Sequence, residues 1–366
     1  PFKQHGGSGR WVSSVFPHVA RKVDDLAFVF GLHVGTNVHG PGSYKMNTGF
    51  LLPGFPCLGA WLSYGLGRLS DDLPTFVVLP DARGLPYNNL GNFSAGFLPA
   101  VHQGTVLNLA ARDPIHAIRP PVGKTTPESD ADGLDVLAKL NKAHAEERPG
   151  DTRLEGRIAS YELAARMQRA APEALDAERE PRRLRNAYGL DDPATAPFAR
   201  QCITARRLLE RGTRFVQVWS GAGGPSNNWD NHTSILKELP AIARTVDRPI
   251  AALLDDLKSR GMLEDTLVIW CSEFGRHPFS QGSEGRDHNG GTSVAWLAGA
   301  GVKGGAAVGS SDEWGWKAQE TVTPYDLHAT VLHLLGIDHE KLTFRHNGSD
   351  RRLTDVHGHV LKGLLA

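Results

Sequence analysis

Residues 198–220 read FARQCITARRLLERGTRFVQVWS and place a helix directly before a strand. From Phe198 to Arg211 the apolar residues recur every three or four positions, which is the spacing of an amphipathic helix. Gly212 follows as a helix-ending residue. The segment Thr213–Ser220 is rich in β-branched and aromatic residues, which indicates a buried strand. The stretch therefore predicts one helix–strand unit of an α/β fold.

The same alternation continues on both sides of this unit. Further buried strands are predicted at Leu26–Leu32, Thr75–Pro80, Thr266–Cys271 and Ser293–Ala298. A second amphipathic helix is predicted at Pro249–Arg260. A third begins after Thr323, which suits an N-cap because Pro324 and Asp326 follow it. This alternation predicts an α/β protein with a mostly parallel central sheet.

Composition excludes several classes of protein. The chain has 366 residues, with 40 lysines and arginines against 40 aspartates and glutamates. This balance argues against nucleic-acid binding by phosphate neutralisation and against a polybasic membrane-surface protein. No apolar run approaches the roughly 18 residues that span a bilayer. The few cysteines form no disulfide framework, and Cys202 and Cys271 are predicted to be buried free thiols.

The stretch from about Thr125 to Asp192 differs from the rest of the chain. It is rich in Glu, Arg and Ala, poor in β-branched residues, and contains PESDADG and EREPRR. We interpret it as a helical insertion over the sheet within a single domain of residues 1–366.

Charged and imidazole side chains follow two of the predicted strands. Asp230 and His232 lie in the glycine-rich loop after Thr213–Ser220, and Glu273 and Arg276 follow Thr266–Cys271. A third loop brings Arg286, Asp287 and His288. The carboxyl ends of parallel strands are where α/β proteins bind ligands. Carboxylates and imidazoles from three loops predict a divalent-cation site, and the two arginines predict donors for a phosphate- or sulfate-like anion.

Simpler explanations exist for these residues. An isolated Asp-x-His pair is most often a turn or cap residue beside a surface histidine. Glu273, at the mouth of the sheet, requires a compensating positive charge, either a metal ion or Arg276 three residues later. A separate match to the GxGxxG motif at Gly299–Gly304 would be consistent with a dinucleotide-dependent oxidoreductase. No helical pattern follows the motif, however, so we interpret it as a turn.

Taken together, WDNH (229–232), SEFGRHP (272–278) and GRDHN (285–289) resemble the sulfatase-like family known as domain of unknown function 1501, in the alkaline phosphatase superfamily. The resemblance extends over nearly all of the chain, including RPGDTRLEGRIASYELAARMQ (148–168). It implies a three-layer α/β/α sandwich with metals at the carboxyl edge of the sheet. It also implies an exported protein, periplasmic or extracellular.

The resemblance also implies roles for individual residues. Glu273 matches the metal ligand after the corresponding superfamily strand, Asp230 and His232 match earlier ligands, and His288 with Asp287 matches the late histidine ligand. His39 falls at the position of the superfamily nucleophile, without the Cys/Ser-x-Pro-x-Arg pattern of formylglycine sulfatases, so it is either a ligand or an unusual nucleophile. A first strand with a further aspartate ligand is expected to precede Pro1.

These observations predict a metal-dependent hydrolase of phosphate or sulfate esters that acts on a small anionic substrate. Arg276 and Arg286 would hold the anionic oxygens. Zinc or manganese is favoured over calcium or magnesium because the ligand set includes imidazoles. The alternative is a non-catalytic, sulfatase-like binding protein that keeps the sheet and some of the ligands.

Overall fold

The computed structural model describes residues 1–112, 114, 126–224 and 228–366. Its α-helices are α1 (His39–Thr48), α2 (Leu58–Leu66), α3 (Pro127–Glu146), α4 (Thr152–Leu175), α5 (Arg182–Tyr188), α6 (Ala196–Leu209), α7 (Ile235–Ser259) and α8 (Pro324–Leu334). Its strands are β1 (Phe2–His5), β2 (Arg10–Ser13), β3 (Leu26–Val29), β4 (Phe76–Leu79), β5 (Thr105–Val106), β6 (Phe215–Val218), β7 (Val268–Trp270), β8 (Gly275–Arg276), β9 (His288–Asn289), β10 (Ala295–Ala298), β11 (Ala307–Val308), β12 (Ser310–Ser311), β13 (Ala318–Glu320), β14 (Phe344–His346) and β15 (Ser349–Arg351).

The two larger sheets differ in strand direction. One has the order β5-β4-β6 and is entirely parallel. The other has the order β11-β3-β10-β7, in which β11 is parallel to β3 but β10 is antiparallel to both β3 and β7. Each of the five strands predicted from the sequence is present, although β6 and β7 are half-buried and not fully buried, and the fold is mixed α/β with several sheets.

A mostly parallel sheet was expected, and β10 departs from this expectation. Parallel neighbours require a crossover connection, usually a helix, between them. Between Trp270, where β7 ends, and Ala295, where β10 begins, there is only the short β8–β9 ribbon. The chain therefore turns at the sheet edge and runs back as β10. The absence of a helical pattern between these two strands was the available sequence signal.

Helices cover both faces of each of these sheets. In β3, Leu26 and Phe28 pack in a cluster with α7, whereas Ala27 and Val29 pack with α1 and α8. Successive side chains of a strand point to opposite faces, so the two helix groups lie on opposite sides of this sheet. In β4 the same alternation directs Val77 and Leu79 toward α6 and α4, and the other side chains toward α2.

The predicted helices are present, with one correction in length. Pro249–Arg260 was expected, but α7 extends from Ile235 and contains Pro240 and Pro249. The amphipathic pattern continues upstream of Pro249, and the apolar face packed on β3 compensates for the weaker helix at the prolines. Although α7 is 25 residues long, no helix within the described ranges is apolar enough over a sufficient length to cross a membrane.

The helix cap predicted at Thr323 is confirmed. The Thr323 hydroxyl accepts from the backbone N–H of Asp326, and the Asp326 carboxylate accepts from the backbone N–H of Thr323 at 2.8 Å. This capping box satisfies two donors at the start of α8.

One of the two cysteine predictions is wrong. Cys202 is buried on α6, as expected, but Cys271 is exposed. The strand β7 ends at Trp270, so Cys271 is already in the loop that leaves the sheet. Cys57, for which burial was not predicted, is also buried.

The structure describes most of the predicted insertion and the whole of the GxGxxG segment. Helices α3, α4 and α5 fall in the insertion, whereas Thr125 lies outside the described residues. Gly299 and Gly301 adopt left-handed φ angles of +79° and +78°. The chain continues from there into β11 and not into a helix, so the segment is a turn.

His328 on α8 is expected to make folding sensitive to pH. Burial lowers the pKa of His328 from 6.5 to about 4, because the charged ring would lose its hydration. Below pH 6.5 the unfolded chain binds a proton that the folded protein excludes, so stability is lost as the pH falls toward 4. At about 1.4 kcal/mol per pH unit, the free energy of unfolding should drop by roughly 2 kcal/mol between pH 6.5 and pH 5 from this group.

Urea unfolding across this pH range measures the effect. His328→Gln retains a donor for the Met46 carbonyl oxygen, which lies 2.9 Å from His328 Nε2, and removes the titration. The slope should flatten in this variant and persist in His333→Gln, a change at an exposed position of the same helix. Equal slopes in His328→Gln and the wild type would contradict the assignment.

Candidate metal centre

Asp230 is the centre of the polar cluster that the sequence predicted. It lies in the loop between β6 and α7, and its side chain is only 9% exposed. Its Oδ1 atom lies 2.8 Å from His232 Nε2, 2.8 Å from His288 Nε2 and 2.7 Å from Arg276 Nη2. Its Oδ2 atom lies 3.3 Å from His39 Nε2. One carboxylate thus gathers three histidines and an arginine from its own loop, the start of α1 and the β8–β9 ribbon.

The charge of Asp230 is strongly stabilised by these neighbours. Burial by itself would raise the pKa of the carboxyl group. The hydrogen bonds from His288 and Arg276, with the charges of His39 and Arg276, outweigh burial and hold the pKa of Asp230 well below its usual range. Asp230 is therefore a permanent anion in the middle of the site.

His39 connects Asp230 to Glu273. It is the first residue of α1, and its Nδ1 atom lies 2.6 Å from Glu273 Oε1. Burial opposes a charge on His39, but the hydrogen bond to Glu273 and the charges of Glu273 and Asp230 raise its pKa. The two carboxylates thus favour a positive charge at this point between them.

Glu273 has a different partner from the one considered in the sequence. A Glu273–Arg276 ion pair was one alternative, but Glu273 contacts His39, and Arg276 binds Asp230. Arg276 also donates to the carbonyl oxygens of Trp229 and Arg286, at 3.1 and 2.9 Å. These contacts hold the Asp230 loop against β8.

Only part of the third loop, which contains Arg286, Asp287 and His288, lies close to Asp230. His288 lies in it, on β9, which pairs with β8. Asp287 is exposed, and its Oδ1 atom accepts from the backbone N–H of His288 at 2.7 Å. The guanidinium of Arg286 contacts Ser280 Oγ and the carbonyl oxygen of Gly285, at 3.2 and 2.8 Å. The anion-holding role expected of Arg286 remains a prediction.

The loop containing Gly285 closely contacts the Asp230 loop. A Cβ atom at Gly285 would lie 1.8 Å from the carbonyl oxygen of His232. The backbone N–H of Arg286 also donates to Asn231 O at 3.1 Å. Only glycine permits this approach, which places His232 beside His288.

Residues missed in the sequence complete the surroundings of the histidines. Tyr87 stacks on the ring of His39 with centroids 4.5 Å apart. Asn37 supplies a carbonyl oxygen 2.7 Å from His288 Nδ1, and Gln281 supplies Oε1 as the partner of His232 Nδ1. Tyr87 follows β4 along the chain, so its strand-end position was an available signal. Asn37 follows β3 in the same way, so the same signal was available for it, whereas for Gln281 the sequence contains no comparable signal.

The orientation of the three histidines fits a metal ion. Each Nδ1 atom faces an oxygen acceptor, which places the proton there: Glu273 for His39, Gln281 for His232 and the Asn37 carbonyl for His288. A cation held at Asp230 would take the place of the Nε2 protons, so that each ring would direct an Nε2 lone pair toward it. His232 Nε2 and His288 Nε2 lie 2.9 Å apart, and the buried His39 Nε2 has no hydrogen-bond partner among the described residues. Nitrogen atoms this close to each other and to a carboxylate need a positive charge between them, either protons on Nε2 or a bound metal ion.

Two overlapping sets of candidate ligands result. His39, Asp230 and His288 form one set, and His232, Asp287 and His288 form the other. Within each set the ligand atoms lie within 4.8 Å of one another. Metal–ligand bonds of roughly 2.0–2.2 Å permit such separations around one ion.

Comparisons with known proteins identify the family. No curated protein sequence matches the chain. Among solved structures, phosphonate monoester hydrolase SpPMH from Silicibacter pomeroyi is similar, with 13% identity, coverage of 88% of this chain and 68% of that chain, and a TM-score of 0.40. The family expected from WDNH, SEFGRHP and GRDHN is confirmed, because residues 1–365 match the family model "Protein of unknown function (DUF1501)". The chain therefore belongs to the DUF1501 family.

Proposed function

We propose that the chain is a metal-dependent hydrolase of phosphate or sulfate esters, of the sulfatase–phosphatase type. The observation that carries the proposal is the common orientation of His39, His232 and His288. Each directs Nε2 toward the anionic Asp230 while an oxygen acceptor holds Nδ1. Metal-binding histidines, and histidines whose Nε2 acts on a substrate, are ordinarily held in this way, because the second hydrogen bond orients the ring and makes Nε2 more basic.

The proposed ligands come from three loops of the chain: Asp230, His232, Glu273, Asp287 and His288. Zinc or manganese suits this mixed nitrogen and oxygen set better than calcium or magnesium, which prefer oxygen ligands. A divalent cation supplies positive charge that polarises a phosphoryl or sulfuryl oxygen.

His39 is proposed to act directly on the substrate. Its ring stacks on Tyr87 and lies 5.0 Å from the ring of Phe274, so its plane is fixed. Glu273 accepts a hydrogen bond from Nδ1–H, and a cation held at Asp230 would disfavour a second proton on the ring, so that Nε2 would act as a nucleophile or a proton acceptor. This arrangement needs no Cys or Ser nucleophile at the position of His39.

Arg276 and Arg286 are proposed to bind the anionic oxygens of the ester. Guanidinium donors match two oxygens of a phosphate or sulfate at once. Arg276 additionally positions Asp230, with Nη2 at 2.7 Å from Oδ1. A small anionic ester is the substrate class that such a set of charges selects.

We also propose that the two larger sheets lie side by side as the middle layer of a three-layer α/β/α sandwich. Support comes from α8, because Leu327 and Val331 pack on the β3 sheet and Leu332 packs in the cluster of the β4 sheet. Under this proposal residues 1–366 form a single domain, and about 125–192 is the helical insertion.

Metal analysis combined with a panel of aryl phosphate and aryl sulfate esters tests the proposed function. We expect bound zinc or manganese, and hydrolysis of at least one ester class that is lost with a chelator and restored by the metal. Protein that binds none of these metals would refute the proposal. Tight metal binding without turnover of any ester would favour a non-catalytic binding protein.

A further inference from the structure

A basic groove lies on the helical side of the molecule, away from the Asp230 cluster. It is formed by the short 3₁₀ helix Val19–Lys22, by α5 and by the second half of α7, and its volume is about 1020 Å³. Arg248, which lines the groove, is thirteen residues along α7 from Ile235. At 1.5 Å per residue, this places it roughly 20 Å from the end of α7 that adjoins the Asp230 loop.

The charges that line the groove do not cancel. Five lysines and arginines face only two aspartates. Both aspartates are already paired, since Asp255 binds Lys22 and Asp256 lies 2.6 Å from Arg260 Nε. Asp256 also binds the buried Arg206 at 3.0 Å. The excess positive charge therefore belongs to the remaining arginines.

Three arginines from three elements lack a carboxylate partner within the described part of the chain: Arg21, Arg183 and Arg248. Arg21 contacts His18 Nδ1 at 2.6 Å, which requires His18 to accept and remain neutral. Arg248 donates to the carbonyl oxygens of Asn186 and Ala187 at the end of α5, which fixes the guanidinium in place. Arg183 is exposed at the rim.

The pKa of His18 reflects the nearby charges of Arg21 and Arg248. Its pKa is lowered, first by burial and then by the charges of Arg21 and Arg248, which together outweigh the opposing charge of Asp247. Asp247 is buried and accepts the backbone N–H groups of His18 and Val19, at 2.9 and 2.8 Å. The Asp247 carboxylate therefore binds the backbone at the start of the 3₁₀ helix and lies below the groove.

The floor between the arginines is apolar. Pro181, Leu184 and Ala187 line one wall, and Ala251 and Ala252 line the other. Arginines beside an apolar lining supply the two kinds of contact that a molecule with both anionic and apolar parts requires. A bare inorganic ion would leave this apolar surface without a partner, whereas an apolar molecule would leave the guanidinium groups without one.

We propose that this groove is a second binding site, for a small organic polyanion that carries several phosphate- or sulfate-type groups on an apolar body. The anionic groups bind Arg21, Arg183 and Arg248 as bidentate acceptors. The apolar body lies on Leu184, Ala251 and Ala252. This proposal does not depend on the hydrolase function, because no residue of the groove belongs to the metal centre.

Binding of pyranine, a pyrene ring with three sulfonate groups, tests the proposal by fluorescence anisotropy on the intact chain. Sulfonates are not esters, so hydrolysis at the Asp230 cluster does not interfere. We expect saturable binding near physiological salt. The affinity should fall about a hundredfold in the double variant Arg21→Gln/Arg183→Gln, because each of the two lost charge-assisted bonds costs about tenfold.

Two further variants make the test specific. Ala187→Glu places a carboxylate at an exposed position of the groove wall and should weaken binding to a similar degree. Lys237→Gln removes an exposed lysine from the first turn of α7, at the opposite end of the helix from the groove, and should leave binding unchanged. The proposal is overturned if pyranine does not bind, if the double variant binds as tightly as the wild type, or if Asp230→Asn abolishes binding.

Discussion

Asp230→Asn is expected to empty the metal centre and to abolish ester hydrolysis. Asparagine has nearly the same shape and retains an oxygen for Arg276 and His288, but it lacks the negative charge that the three histidines surround. Removing even a supporting partner of a metal ligand typically costs 10–100-fold in affinity, so loss of this central carboxylate should cost more than about 100-fold.

Elemental analysis and thermal unfolding with added zinc measure this result. At a metal concentration 100 times Kd, the wild type should gain about 2.7 kcal/mol of stability from the bound ion, and Asp230→Asn should gain almost none. Glu284→Gln is the matched control, because Glu284 is exposed nearby and its side chain accepts from Ser234 Oγ at 3.2 Å, a bond that glutamine can retain. If Asp230→Asn held as much metal as the wild type, the assignment of the site would be wrong.

His39→Ala and Glu273→Gln are expected to act as one unit. His39→Ala should abolish turnover while leaving part of the metal bound, because Asp230, His232 and His288 remain. Glu273→Gln should slow hydrolysis about 100-fold, since the amide no longer favours the Nδ1 proton or the orientation of the His39 ring. The double variant should be no slower than His39→Ala alone. Glu273 is expected to act through His39, and the effects on rate of two residues that act together do not add.

Metal content in the single variants separates the roles of the two residues. If Glu273 is also a ligand, as the family resemblance implies, Glu273→Gln should lower metal content together with activity. If it acts only through His39, metal content should be unchanged. His359→Ala, at an exposed position far along the chain, serves as the histidine control and should leave turnover intact. Full activity in His39→Ala would refute the role proposed for it.

Local signals in the sequence were sufficient for the elements of the fold. The five apolar runs became strands because their length and β-branched content suit a buried pleated surface. The N-terminus of α8 was predictable because the capping residues Thr323 and Asp326 are only three positions apart. Asp230, His232 and His288 could be predicted as a group because each follows an element that ends at the site.

The tertiary structure alone decided through-space partners, and it showed a strand direction that the sequence indicated only by the missing helical pattern between β7 and β10. The antiparallel β10 results from how the chain turns at the sheet edge, and the burial of a strand does not depend on its direction. The partner of Glu273 proved to be His39, which is 234 residues away, and not the nearby Arg276. The periodicity of helices and strands and the caps of helices depend on residues only a few positions apart, so sequence patterns reveal them. Contacts between distant residues are determined only when packed helices and strands bring their loops to one place.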